Sequence, residues 1–484
     1  MSFATAHGHV LRPSLTFRHV VAAAVLLAVA AVGAVPASSV RGAGTYYVAT
    51  TGSDANDGSL SRPWRTVQKA ADVIPAGSKA LIRGGTYPAF HVRRSGSSAS
   101  AHTIYANYPG ERAVINGGGA YPIGVYVQYY GGPVRYVTIS GLVIQNAPGG
   151  RGSGGGIVAQ NAHHVRLRDN VIQYNRSYGI YLVDSTNVSI AGNEITKNEV
   201  GIYVTRQGGG SVIANNRIHH NDRMVINTAS PGYDDYGATG IAFNKSTGSI
   251  RVRDNRIWGH RALSYDYDWD GSGIEIWMAS NVWIERNTLY DNENVLETGS
   301  DRSAGCNDNR FVRNVAYGAT TAGRSNGVYL RCAGRMLVTN NTMYGLTQFA
   351  FQIAHLTGVH GGWIDGLRVQ NNIMVTTSAD DWTTWIRSAL PSSVVIDRNL
   401  MFSTVGSKIA YVDGRGATTS LATFRSWTGR ELTGVQADPR FVDVRAGHFG
   451  LAVGSTAIDR GVIVPGVTDG FLDAAPDLGR HESQ

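Results

Sequence analysis

The chain has little lysine, little cysteine and, beyond its first residues, no long apolar run. Five of its 484 residues are lysine, so nearly all the positive charge is arginine. No dense basic run occurs, which argues against nucleic acid as a partner. The two cysteines, Cys306 and Cys332, permit a single bridge. Charged residues make up only 16%. After Val35 no stretch is long and apolar enough to span a membrane. The one apolar run, Val20–Val35, follows Arg12 and Arg18 and ends at the small residues Val35-Pro36-Ala37. That is the pattern of a secretory signal peptide over residues 1–37, so an exported, extracellular protein is expected. Such a leader removes two arginines and no acid, taking the formal charge from +8 to about +6. A mild excess of that size suits an acidic polymer as partner.

What the chain does have is glycine, 60 residues of it, and a repeat. From Val137 a unit of apolar-x-apolar-x-x-Asn recurs, with Leu142 in the Asn place of the first copy. The Asn positions are 170, 193, 216, 255, 287, 314, 341, 372 and 399, at spacings of 23, 23, 39, 32, 27, 27, 31 and 27. Between them lies a second signature, Gly-Ile-x, at Gly156, Gly179, Gly201, Gly240 and Gly273, with Gly-Val-Tyr at Gly327. Short periods with period-two strands and Gly/Asn turns indicate an all-β parallel β-helix, in which stacked coils share one core. The Asn is expected to adopt the left-handed turn conformation and to hydrogen-bond up the column. Leucine does not dominate the inward positions, which disfavours a leucine-rich repeat.

The expected organisation is a leader at 1–37, an N-terminal cap with the first coils at 38–136, coils at 137–404, and C-terminal coils with an irregular cap at 405–484. In the opening, a strand near Thr45 leads to a short helix with Val67, Ala70, Ala71 and Ile74 on one face. The two long coils carry insertions, Asp222–Thr239 and His260–Ser272, both just before the Gly-Ile strand. Loops placed at one edge of a rigid face commonly build a site.

On the outward side of that strand one column contains Tyr181, Tyr203, Ala242, Glu275, Glu297, Tyr329 and Gln352, and its neighbour contains Asn244, Trp277, Gly299 and Arg331. Aromatic, amide, acidic and Arg side chains along one groove suit an extended sugar chain. Tyr181, Tyr203, Asn244, Trp277 and Tyr329 are the expected substrate contacts, with Lys245 and His260 added from the flanking turn and insertion. Coils stack about 4.8 Å apart, so Glu275 and Glu297 face each other at close range. They could serve as acid and nucleophile, bind calcium with Asp266, Asp268 or Asp270, or sit solvated and tempered by Arg331. Asp234 and Asp235, from the preceding insertion, could join a calcium site. Cys306 and Cys332 lie eight and nine residues before Asn314 and Asn341, in one turn of adjacent coils, where a disulfide is expected.

The opening GSDANDGSLSRPWRTVQKAADVI, the coils and the tail DPRFVD…GSTAIDRG resemble secreted bacterial right-handed parallel β-helix proteins of the pectate-lyase-like superfamily, especially family 9 polysaccharide lyases. The resemblance implies a right-handed helix acting on a polysaccharide; a monomer is expected. It also implies acidic calcium ligands around one strand and a catalytic lysine in a later one. Here Glu275 stands in the first place and Glu297 in the lysine's place, a departure that leaves lyase and glycoside hydrolase both open. The rival class is a non-catalytic carbohydrate-binding or cell-surface protein of the same fold.

Overall fold

The computed structural model describes residues 42–118, 121–150, 152–229, 232, 234–300, 305–318, 324–354 and 363–483. The expected leader lies outside them, as do residues 301–304 of the loop between Glu297 and Cys306.

Residues 42–484 form one unit, a right-handed parallel β-helix of three long sheets with 13, 12 and 13 strands. Twelve coils each contribute one strand to each sheet, and the end strands Thr45–Val48 and Gly416–Thr418 complete the first and third. The coil around Glu275, for example, supplies Ile250–Arg253, Arg256–Trp258 and Ser272–Trp277 to the first, second and third sheets. Alternation sends every second side chain inward. In the third sheet the inward column runs Ile157, Ile180, Ile202, Ile241, Ile274, Leu296, Val328 and Phe351, in unbroken register and fully buried. Each such side chain contributes roughly 1.5–3 kcal/mol by leaving water.

The Asn column forms a continuous ladder. Asn193 Nδ2 donates to Asn216 Oδ1 at 3.0 Å, and Asn216 Nδ2 to Asn255 Oδ1 at 2.9 Å. The chain of bonds runs from Asn170 to Asn399, where Glu431 accepts the last amide at 2.6 Å. The ladder Asn is not the left-handed residue, contrary to expectation. The residue before it is: Asp169, Asn215, Asp254 and Arg286 have φ between 53° and 57°. The turn's positive φ thus falls one place earlier, which frees the Asn side chain to point inward and bond along the axis.

A second ladder, not anticipated, follows each second-sheet strand: Asn175, Asn198 and Asn221 are linked at 3.0 and 2.9 Å. It accounts for the Gly-Ile signature. A Cβ on Gly179 would stand 2.6 Å from the Gly201 carbonyl oxygen and 2.9 Å from Asn198 Nδ2, so only glycine fits beside this ladder.

The first coil is covered by the helix Val67–Val73, whose N-cap Thr66 accepts from the Lys69 amide and which buries Val67, Ala70 and Ala71. The Asp54 loop before it is a turn: the Asp54 carboxylate accepts from the Arg65 and Thr66 amides and the Thr66 hydroxyl. At the other end a second helix, Leu421–Thr428, buries Leu421 and Phe424 and is closed by left-handed Gly429. Cys306 and Cys332 are bonded, with Cα atoms 5.6 Å apart. Among the described residues no helix is long and apolar enough to cross a membrane.

Candidate active-site cleft

The outer face of the third sheet carries a cleft of about 640 Å³. Both insertions fold into short antiparallel hairpins beside it, Met224–Ile226 with Tyr236–Gly237 and Ala262–Ser264 with Asp268–Asp270. They reach the cleft through Tyr236, Tyr267, Trp269 and Asp270.

On the cleft floor Glu275 pairs in register with Glu297, and Glu297 with Tyr329. Arg331 Nη2 donates to Glu297 Oε1, and the Ser272 hydroxyl approaches Oε2 at 3.4 Å. Burial first, and then the Glu297 charge, push the Glu275 carboxyl up to about 7, although Arg331 pulls the other way. Asp270 is held well above the usual carboxylate range by burial and by repulsion from Glu297 and Glu275. Three carboxyl groups therefore converge. One is ion-paired and two are biased toward their neutral forms.

The disulfide bears on this floor. The backbone amides of Arg331 and Cys332 both donate to the buried Thr298 hydroxyl at 3.2 Å, which ties the Arg331 strand to the Glu297 strand. Trp277 lies over the next coil, where a Cβ on Gly299 would come within 2.3 Å of its ring. Glycine at 299 is what allows the indole to lie there and line the cleft.

Of the expected substrate contacts, Tyr203, Asn244, Trp277 and Tyr329 line the cleft. Tyr181 does not. It packs against Tyr178 and Tyr203, at ring separations of 4.7 and 5.5 Å. Lys245 is exposed in the turn after its strand, at φ 50°, and is also not part of the lining. His260 is corrected outright. It is fully buried, with its ring nitrogens 3.2–3.3 Å from the carbonyl oxygens of Ile218 and Asn221, taking the second ladder's next place. Burial lowers its pKa to about 4, so it is a neutral core residue.

The expected calcium ligands separate. Asp270 joins the glutamates, and Asp268 sits exposed in its hairpin, paired with Ser264. Asp234, Asp235 and Asp266 do come together, with carboxylate oxygens within 4.8 Å of one another. Both oxygens of Asp235 and one each of Asp234 and Asp266 have protein donors. Asp235 accepts from the Thr228, Tyr265 and Asp266 amides and the Ser264 hydroxyl. Burial alone would raise its pKa, but these bonds outweigh it and hold the carboxylate below its ordinary value. Asp266 accepts from the Asp235 amide, and Asp234 from the Thr228 hydroxyl. The trio is a hydrogen-bonded pin between the two insertions, with its carboxylates close enough together to hold a cation.

Sequence reasoning placed Asp270 beside the glutamates, though as a calcium ligand, and missed Glu293, Arg324, Trp385 and Arg387, which line the same cleft. Trp385 was reachable, because it is in register with Gln352 one coil on. Glu293 and Arg324 lie outside the outward columns, and no pattern marked them.

Residues 46–221 match the family model described as the Pel9A-like, right handed beta helix region. The chain is 25% identical over 456 residues to the uncharacterized protein YwoF of Bacillus subtilis, covering 86% of this chain and 93% of that one. A shorter stretch of 78 residues is 35% identical to the pectate lyase PEL9 of Emericella nidulans, covering 16% and 19% of the two chains. Among solved structures, XylC in complex with xylose matches with a TM-score of 0.55 at 14% identity, over 82% of this chain and 87% of that one. Pectate lyase Pel9A matches with a TM-score of 0.50 at 18% identity, over 91% and 96%. At these identities the structural likeness is one of fold.

Proposed function

We propose that this chain is a glycoside hydrolase that cleaves a polysaccharide in the third-sheet cleft, with Glu297 as nucleophile and Glu275 as acid and base. The observation that carries the reading is the register-paired glutamates, one ion-paired with Arg331 and the other shifted to about 7. Pairs whose environments push their pKa values apart are the usual acid/base assignment. Coils about 4.8 Å apart also suit the roughly 5–5.5 Å carboxyl separation of retaining glycosidases.

In this scheme the Glu297 carboxylate attacks the anomeric carbon while Glu275 gives its proton to the departing glycosidic oxygen. Glu275, now ionised, then takes a proton from water, which displaces Glu297 and restores both groups. Asp270, whose proton is favoured by burial and by the neighbouring glutamates, faces the sugar hydroxyls, and Trp277, Trp269 and Tyr329 flank the ring faces. Pel9A and xylose-bound XylC share the fold, which supports a carbohydrate ligand. A second reading, elimination on a uronate, draws on Arg324, Arg331 and Arg387 in the lining as partners for its carboxylates. It is disfavoured because, among the described residues, no lysine lines the cleft to act as base.

The test is a polysaccharide screen with and without chelator, reading both reducing ends and the ultraviolet absorbance of unsaturated products. New reducing ends without unsaturation, insensitive to chelation, are expected. Glu275→Gln and Glu297→Gln should each lose at least about a hundredfold in rate. Unsaturated product, or full activity in both variants, defeats the assignment.

A further inference from the structure

We propose that a pocket on the second sheet, on a different face from the cleft, is a non-catalytic docking site for an acidic glycan. It has a volume of about 630 Å³ and lies between the second-sheet strands and the C-terminal tail. Four arginines line it: Arg217, Arg256, Arg286 and Arg480. Its one acidic lining residue, Asp254, is already met by Arg286 at 3.0 and 3.1 Å and by Arg253 at 2.8 Å. Among the described residues, Arg217, Arg256 and Arg480 have no carboxylate within ion-pair distance, although arginine–carboxylate pairs are common elsewhere in the molecule.

The tail does not dangle. The Gly479 amide donates to the Asn371 carbonyl at 2.7 Å and the Arg480 amide to the Thr342 hydroxyl at 3.0 Å, which fixes Arg480 against the coils. Burial lowers the Arg480 pKa, as does neighbouring Arg286, while Asp254 raises it. An incoming anion would supply the counter-charge this guanidinium lacks.

Arg256 is also held in place. It lies over Trp258 and Tyr290, 5.5 and 5.1 Å from their ring centres, and its Nε donates to the Tyr290 hydroxyl at 3.0 Å. These rings belong to a stack, His219–Trp258–Tyr290–Tyr317, with centroids 4.2, 5.5 and 4.9 Å apart and planes within 14°. Because the rings cover one another's faces, they offer little platform for a sugar. They position the guanidinium instead. Recognition by this pocket is therefore by charge, which selects carboxylate- or sulfate-bearing chains over neutral ones. A polymer docked here would be kept at the protein surface while the cleft samples its other segments.

Affinity electrophoresis in gels containing polygalacturonate, with hydroxyethyl cellulose as the neutral control, tests this directly. Wild type and Glu297→Gln should both be retarded by the acidic polymer and by it alone. Arg256→Gln and Arg480→Gln should weaken binding about tenfold or more, as loss of a charge-assisted bond does. Exposed Arg217→Gln guards against misfolding and should also weaken it. Arg480→Gln should leave cleavage of short oligosaccharides unchanged. The proposal fails if wild type is not retarded, or if all variants are retarded equally. It also fails if calorimetry finds inorganic phosphate bound at the pocket while the polymer is not, which would make this a free-anion site.

Discussion

Glu275 and Glu431 are both pushed up by burial, to about 7 and about 8, and they differ in what meets them. Glu431 accepts the backbone and side-chain amides of Asn399 and ends the ladder, so its role is structural. Glu275 faces a second carboxylate and an arginine in an open cleft, where proton exchange with a ligand is possible. Because the fold keeps Glu275 protonated, its contribution to stability is complete below its ordinary pKa of 4.5 and is lost as pH rises through about 7. Glu275→Gln should therefore melt above wild type at pH about 8 and level with it at pH about 4. The same titration predicts that cleavage declines above pH about 7, as the general acid deprotonates. Melting curves that differ equally at both pH values would remove the burial-shifted acid from the site.

At the scale of the element, the Asn ladder is the main polar support of the coils. Asn255→Ala would take the acceptor from the Asn216 backbone amide, leave the Asn216 side-chain amide with the Ile190 carbonyl alone, and remove the bond to Asn287 Oδ1, all in a dry interior. A loss of about 2–4 kcal/mol in urea unfolding is expected. A change within about 0.5 kcal/mol, as for an exposed site, would show that neighbours compensate. The disulfide works differently, by restricting the unfolded chain. Its partners are 26 residues apart, and reducing it should cost about 3 kcal/mol. Thiol titration of the unreduced, denatured protein should find no free thiol. Two thiols per chain would mean that hydrogen bonds and packing, without a covalent link, hold adjacent coils together at the Arg331 turn.

For the whole molecule, one apolar core runs from Val48 to Phe424 without a break, closed by a helix at each end. Such a solenoid is rigid, and its chemistry is confined to whatever its outer faces carry. Export remains a proposal, resting on Arg12, Arg18, the apolar run Val20–Val35 and Val35-Pro36-Ala37. N-terminal sequencing of the protein recovered from culture medium should begin at Ser38. Recovery only from cells, with Met1–Ala37 attached, would overturn it.

The sequence by itself determined the β-helix, the Asn column, the pairing of Glu275 with Glu297 and the apposition of Cys306 with Cys332. All four follow from periodicity, because in a parallel helix equal offsets from a repeated residue become spatial neighbours. What lay off the period was decided by tertiary structure. His260 could not be placed from the sequence, because an insertion begins at the residue where the second ladder still needs an inward partner. Asp268 and Asp270 are two residues apart, yet one is exposed and one faces the glutamates, since a hairpin's path depends on its packing and not on the coil repeat. The arginine pocket joins Arg217 to Arg480, and no local pattern relates residues that far apart. The fold of the C-terminal tail onto the second sheet alone brings their charges together.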